Sequence, residues 1–252
     1  MGRYKLLALD MDGTLLDEHQ RISDENREWM MKALDAGITV ILATGRGVQN
    51  VYPYTDELKL NTPIVSVNGG EVWRAPRDLL TRHLLSVDSI RWMREMAVRY
   101  DSWFWSYAVE GLFRKDDWLS NNMDREDLSR YSWLKFGFHT ENDENRQAIY
   151  EALQAEGIYE ITNSSPYNWE VNPKGVSKAS GIREVCELLG ITMSEVVAMG
   201  DSLNDMAMIR EAGLGVAMGN AQQALKDAAD LVTVTNRENA VAKIIREIVL
   251  DN

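Results

Sequence analysis

At 252 residues and 45% hydrophobic composition, the chain has material for one large domain or two modest ones with a sizeable core, which argues against a disordered segment. Its 27 Lys and Arg against 39 Asp and Glu give a formal net charge of -12, a surface that repels nucleic acid and anionic membranes. The single cysteine, Cys186, excludes an internal disulfide and a CxxC metal or redox motif, and its apolar-periodic surroundings suit a packing residue.

Taken in chain order, residues 4–9 form a short apolar strand, and residues 23–36 a helix with Ser23 as N-cap, Trp29, Met30, Ala33 and Leu34 as its buried stripe, and Gly37 as its stop. The N-terminal apolar run is too short for a signal-peptide core, and no stretch approaches the roughly 18 apolar residues of a membrane span, so a cytoplasmic protein with no membrane partner is expected. A second strand at 38–43, a helix at about 47–58 and a third strand at 63–67 continue a rhythm that argues a parallel sheet covered by helices. The same rhythm returns after about residue 172. It brings a helix at 178–189, strands at 196–199, 214–217 and 231–234, and helices near 203–211, from 221 and from 239.

Between these halves the pattern changes. Six of the eight tryptophans lie between residues 84 and 170, with strand candidates at 103–109 and 133–138 and helices near 89–100 and 144–156. The expected organisation is therefore a discontinuous α/β domain, 1–83 with 171–252, interrupted by an α+β domain at 84–170. Turn-forming stretches at 75–78, 163–166 and 172–175 lie near the crossings.

Three strand ends carry polar residues. Asp10-Met11-Asp12-Gly13-Thr14 follows the first strand, in the place where open α/β sheets put their ligands, and carboxylates at i and i+2 of an extended chain face the same side. An acidic turn is the plainer explanation of Asp-Gly, but a chance DxDGT is expected in fewer than about one in 500 chains of this length. Gly200-Asp201-Ser202-Leu203-Asn204-Asp205 follows the strand at 196–199; alone its polar residues could be nothing more than helix caps, whereas beside DxDGT it completes a hard-oxygen site suited to Mg²⁺. Thr44-Gly45-Arg46 ends the second strand, where a hydroxyl and a glycine amide can hold phosphate oxygens, and Lys178 is a candidate charge for the same group.

Together, LDMDGTLL at 9–16, ATGR at 43–46, VNGG at 67–70, GVSK at 175–178 and GDSLNDMAM at 200–208 resemble the haloacid dehalogenase superfamily of phosphatases, and within it the Cof-like branch with a type IIB cap. The resemblance implies a Rossmann-like parallel-sheet core with an inserted α+β cap, and hydrolysis of a small phosphorylated metabolite with Mg²⁺. It implies Asp10 as nucleophile and metal ligand, and Asp12 as general acid and base that also offers its backbone carbonyl to the metal. Asp201 would be the third ligand, and Asp205 would orient metal-bound water or Lys178. Thr44, Gly45, Lys178, Asn204 and the backbone amide of Met11 would hold the phosphoryl group.

Sugar phosphates, riboflavin-pathway phosphates and pyridoxal phosphate all fall within the substrate range that the resemblance implies. The cap would act as a lid that selects the substrate. The aromatic stretch Trp103, Phe104, Trp105, Tyr107, Phe113 and Trp118 is read as cap core first and as leaving-group contact second. Two alternatives compete. A phosphotransferase such as a hexose phosphate mutase would carry its cap soon after DxDGT, where the gap from Asp12 to Thr44 leaves no room for one. A receiver-type signalling module lacks both an acid–base residue in the place of Asp12 and an insertion of about 87 residues.

Overall fold

The computed structural model describes residues 3–120, 123 and 127–251. The chain forms two compact units, Met1–Thr81 with Ser177–Asn252, and Arg82–Val176. The smaller unit thus begins two residues before position 84 and ends six after position 170, because residues up to Pro173 belong to its sheet.

In the larger unit the chain runs through β1 (Leu6–Leu9), α1 (Asp24–Asp35), β2 (Thr39–Ala43), α2 (Tyr52–Glu57), β3 (Ile64–Ser66), β4 (Glu71–Ala75) and β5 (Asp78–Arg82). Ser23 caps α1 by accepting from the Asn26 N–H at 3.1 Å, and Met30 and Ala33 are buried, with Trp29 and Leu34 packed at the margin. The helix expected at 47–58 is split, a 3₁₀ turn at Val48–Asn50 preceding α2, where Pro53 fits the first turn because it needs no N–H donor. The hairpin of β4 and β5 was not foreseen from the sequence. Strand β4 runs antiparallel to β3.

The smaller unit contains α3 (Val87–Arg99), β6 (Trp103–Ala108), β7 (Gly111–Arg114), α4 (Lys115–Ser120), β8 (Trp133–His139), α5 (Asp143–Glu156), β9 (Tyr159–Thr162) and β10 (Asn168–Pro173). Its sheet has the order β7-β6-β8-β10-β9, all antiparallel. Strand alternation divides the aromatic stretch between two faces. Phe104 is buried, stacks on Phe136 at 5.5 Å and meets Trp118 edge-on at 5.8 Å, in a core that also holds Met93, Ile149 and Leu153. Trp103, Trp105 and Tyr107 point the other way, opposite His139, Gly137 and Lys135. On that face Lys135 donates to Glu170 at 2.8 Å although their side chains are only 2% and 7% exposed.

The chain then returns to the larger unit through α6 (Lys178–Leu189), β11 (Val196–Gly200), α7 (Met206–Glu211), β12 (Leu214–Ala217), α8 (Gln223–Ala228), β13 (Leu231–Val232) and α9 (Ala240–Ile244). The large sheet has the order β13-β12-β11-β1-β2-β3-β4-β5, with the strands from β13 to β3 parallel. These strands are nearly continuous apolar runs, Leu6-Leu7-Ala8-Leu9 and Val196-Val197-Ala198-Met199 being wholly buried, as a sheet covered on both faces requires. From β1 the chain goes first to β2 on one side, and later to β11 on the other. The carboxyl ends of β1 and β11 therefore meet at a topological switch point, where an α/β sheet opens a crevice. Among the described residues, no helix is long and apolar enough to cross a membrane.

Candidate active site

The first acidic turn is shaped by hydrogen bonds to its own backbone. The Asp10 N–H donates to the Met199 carbonyl at 3.0 Å, joining the end of β1 to β11, and the Met11 carbonyl accepts from the N–H groups of Thr14, Leu15 and Leu16. The Met11 side chain is fully buried, so any ligand contact of this residue must come from its backbone. Gly13 sits at φ +79°, and a Cβ there would stand 2.5 Å from Asp201 Oδ2, so the two acidic turns approach closely only because position 13 lacks a side chain.

Asp10, Asp201 and Asp205 each present a carboxylate oxygen within 4.8 Å of the others. Lys178 lies among them, wholly buried, its Nζ donating to Asp10 Oδ1 at 2.5 Å and to Asp205 Oδ1 at 2.7 Å. The capping box of Ser177 and Ser180 starts α6 at that point and fixes where Lys178 leaves the backbone. Asp205 Oδ2 accepts from the N–H groups of Asp201 and Ser202 at 2.9 and 3.0 Å, so both Asp205 oxygens already have protein partners. Asp201 accepts from Ser202 Oγ at 3.2 Å and from Thr14 Oγ1 at 3.5 Å. Asp205 is fully buried and held by Lys178 and two backbone N–H groups, whereas Asp201 is held by two hydroxyls and lies nearer the surface.

The electrostatics follow from three carboxylates and one ammonium in a buried space. Burial pushes the Asp201 carboxyl up to about 7, the Asp205 charge adding to the effect. Burial likewise holds Asp10 well above the usual carboxylate range, with Asp205 and Asp201 reinforcing the rise and Lys178 opposing it. For Lys178 burial alone would lower the pKa, but Asp10 and Asp205 outweigh it and the ammonium is stabilised. When ionised, the three carboxylates carry more negative charge than Lys178 neutralises, and their oxygens are hard donors, a set that fits a small divalent cation.

Thr44 is buried at the end of β2, with its Oγ1 accepting from the Arg46 N–H at 3.2 Å. Its carbonyl accepts from Asn68 N–H at 2.9 Å, and the Arg46 carbonyl accepts from Val67 N–H at 2.9 Å, tying the end of β2 to the turn after β3. That turn places Val67, Asn68 and Gly69 in succession at φ +53°, +57° and +91°. A β-branched residue at positive φ is strained by about 1–3 kcal/mol, a device concentrated at functional sites. A Cβ at Gly69 would stand 2.1 Å from the Ser177 carbonyl oxygen, so the turn packs directly on the start of α6. Asn68 Oδ1 in turn accepts from Asn204 Nδ2 at 3.3 Å, linking Asn204 to the Thr44 side of the site.

Of the residues singled out in the sequence, Asp10, Lys178, Asp201 and Asp205 are in one hydrogen-bonded cluster, and Thr44, Asn204 and half-buried Gly45 are joined to its rim through Asn68 and the end of β2. The Asp12 side chain is half-exposed and turned to Arg46, which donates from Nε to Oδ2 at 2.8 Å and from Nη2 to Oδ1 at 2.5 Å. Arg46 and Asn68 were not among the expected site residues. Both lie inside motifs visible in the sequence, ATGR and VNGG, but the contacts that give them a role span 34 and 136 residues.

The parallel sheet thus brings two acidic turns together at its switch point with a buried lysine between them. The family model of the haloacid dehalogenase-like hydrolases matches residues 7–245, and the chain belongs to that family. It is 46% identical over 246 residues to a 5-amino-6-(5-phospho-D-ribitylamino)uracil phosphatase of Bacillus subtilis, covering 98% of this chain and 96% of that protein. A second Bacillus subtilis phosphatase of the same name is 29% identical over 260 residues, covering 96% of each chain. Among solved structures, a haloacid dehalogenase-like hydrolase from Bacteroides thetaiotaomicron superposes with a TM-score of 0.79 at 31% identity, over 97% of this chain and 99% of that one.

Proposed function

We propose that this hydrolase is an Mg²⁺-dependent phosphatase that transfers the phosphoryl group of a small metabolite to Asp10 and then to water, with 5-amino-6-(5-phospho-D-ribitylamino)uracil as its foremost substrate candidate. The observation that carries the chemistry is Lys178, buried at 2.5 Å from Asp10 and 2.7 Å from Asp205. A carboxylate approaching a phosphate dianion meets like-charge repulsion, and an ammonium fixed beside it in a buried site is a preorganised counter-charge. The substrate candidate rests on the 46% identity, spread over nearly the full length of both chains.

In the first half-reaction an Asp10 carboxylate oxygen bonds to phosphorus while the bond from phosphorus to the ester oxygen breaks, and the Asp12 carboxyl gives its proton to that oxygen. In the second, Asp12 takes a proton from water, the water oxygen bonds to phosphorus, and the Asp10 carboxylate leaves. Thr44, Gly45, Asn204, Lys178 and the backbone amide of Met11 hold the phosphoryl oxygens. Asp10, Asp201 and the Asp12 carbonyl would hold Mg²⁺, which would supply charge neutralisation on the phosphoryl group. Asp205 keeps Lys178 aimed at Asp10. The larger unit thus carries the chemistry and the smaller one selects the leaving group.

The test is a substrate panel in Mg²⁺ containing the ribitylaminouracil phosphate, hexose phosphates and pyridoxal phosphate. We expect kcat/KM for the first to exceed the rest by at least about 10-fold, the discrimination a few leaving-group contacts provide. A preferred hexose phosphate would reassign the substrate, and absence of turnover on every ester would overturn the phosphatase reading.

A further inference from the structure

Asp12 is half-exposed, and an exposed carboxylate on a two-bond side chain has no intrinsic reason to keep one orientation. Here both of its oxygens are engaged by the Arg46 fork, and Arg46 is itself fixed. Its side chain is only 16% exposed, Nη2 also donates to Gln20 Oε1 at 2.6 Å, and the guanidinium carbon lies 5.5 Å from the centre of the Tyr54 ring. Tyr54 OH donates to the Gln20 carbonyl at 3.0 Å, which closes the support. Gln20 reaches this place because residues 17–21 form a tight turn: Gln20 at φ +61° donates its N–H to the Asp17 carbonyl, and Asp17 donates to the Arg21 carbonyl, both at 3.0 Å.

From this mount we infer that Arg46 is a positioning residue for the acid–base carboxylate, with Gln20 and Tyr54 as the groups that fix Arg46. A bidentate fork sets the plane of a carboxylate as well as its place, which a point charge does not. The inference rests on the reading of Asp12 as acid and base, and it assigns a part to three residues outside the metal and phosphate shells. When Asp12 carries its proton, one oxygen bears it and leaves the fork while the other keeps its bond to Arg46; that remaining bond sets the direction from which Asp12 meets the leaving oxygen, so the loss of Arg46 acts on proton delivery more than on phosphoryl binding.

The test uses kcat/KM, which covers the steps up to cleavage of the ester bond, for two esters. An alkyl phosphate needs its leaving oxygen protonated, whereas p-nitrophenolate leaves without help. Arg46→Gln should lower kcat/KM for the alkyl ester at least about 10-fold more than for p-nitrophenyl phosphate, within the roughly 100- to 10,000-fold that acid–base catalysis supplies. Added to Asp12→Asn, the same substitution should cost little further, because residues acting as one unit are not additive. Arg46→Lys, which keeps the charge and loses the fork, should fall between wild type and Arg46→Gln, and it carries the test if Arg46→Gln folds poorly. Tyr54→Phe should show the same ester preference in smaller measure. Equal losses on both esters, or a full additive loss on top of Asp12→Asn, would overturn the inference. Asp12→Asn alone, if it spares the alkyl ester, would instead overturn the role of Asp12 on which the inference stands.

Discussion

Replacing Lys178 with methionine isolates the buried charge balance of the site. The substitution roughly keeps volume and removes the ammonium, leaving Asp10 and Asp205, both buried, without the cation that sits 2.5 and 2.7 Å from them. Breaking a buried ion pair by deleting one partner costs about 3–5 kcal/mol, because the remaining charge stays desolvated. For a chain of this size about 1 kcal/mol moves the midpoint by roughly 2–4 °C, so the unfolding of the larger unit should drop by about 6–20 °C. The loss should depend on pH with a definite sign. The Asp10 carboxyl already titrates above its ordinary range, and without Lys178 it should titrate higher still, so the folded variant binds a proton that the unfolded chain has released. Its stability therefore falls as pH rises above the ordinary carboxylate range of about 4, and the deficit against wild type should grow with pH. Urea unfolding of both proteins in EDTA at several pH values measures this directly. A deficit below about 1 kcal/mol at high pH, or one that does not change with pH, would refute the electrostatic reasoning.

Metal affinity should be linked to protons, since the Asp201 carboxyl, pushed up to about 7 by burial, must lose its proton to bind a cation. The folded pKa lies above the unfolded one, so the metal-free fold is favoured at low pH and loses that contribution as pH rises between about 4 and 7. Titration calorimetry should accordingly find Mg²⁺ binding tightening as pH rises, by up to about 10-fold per pH unit for each of the carboxyls, Asp201 and Asp10, that must lose a proton. Gly69→Ala should both destabilise the fold and lower kcat, because the new methyl would meet the Ser177 carbonyl at 2.1 Å and displace the start of α6 beneath Lys178. Thermal melts and steady-state rates on that variant, with Gly37→Ala as the control where no atom lies within 4 Å, separate the close approach from the cost of positive φ. In the smaller unit Trp118→Ala should cost about 3–5 kcal/mol and depress all substrates together, since Trp118 is 3% exposed among Phe104 and Trp133. Trp105→Ala should instead reorder substrates by about 10-fold or more with a smaller stability loss, as read from a substrate panel and melting curves on the two variants.

The parallel strands and their polar ends were legible because each is a local pattern. Leu6–Leu9 and Val196–Gly200 are short apolar runs that stop at an acidic turn, and Ser23 announces the helix it caps. The hairpin Glu71–Arg82 and the strands Tyr159–Thr162 and Asn168–Pro173 escaped because their residues mix charge and apolarity, and their place in a sheet depends on partners distant in the chain. Lys135 makes the same point. Within Trp133–His139 it reads as a solvated position, yet it is buried against Glu170, a pairing that spans 35 residues. The aromatic stretch at 103–118 could be weighed between packing and contact but not sorted, since only the register of β6 on β8 shows which rings share the Phe136 face. In the catalytic turns the residue types were readable in advance, whereas the Arg46 grip on Asp12 and the Asn68 bridge to Asn204 required the fold to bring separate strand ends together.

The central claim is that Asp10 carries the phosphoryl group. A rapid-quench single turnover with the ribitylaminouracil phosphate or p-nitrophenyl phosphate, followed by acid trapping and peptide mass analysis, should find one phosphoryl group on the peptide containing Asp10. It should find none in Asp10→Asn, whose turnover should fall below about a hundredth of wild type. A phosphoryl group on another residue, or an Asp10→Asn enzyme that keeps more activity than that, would contradict the account.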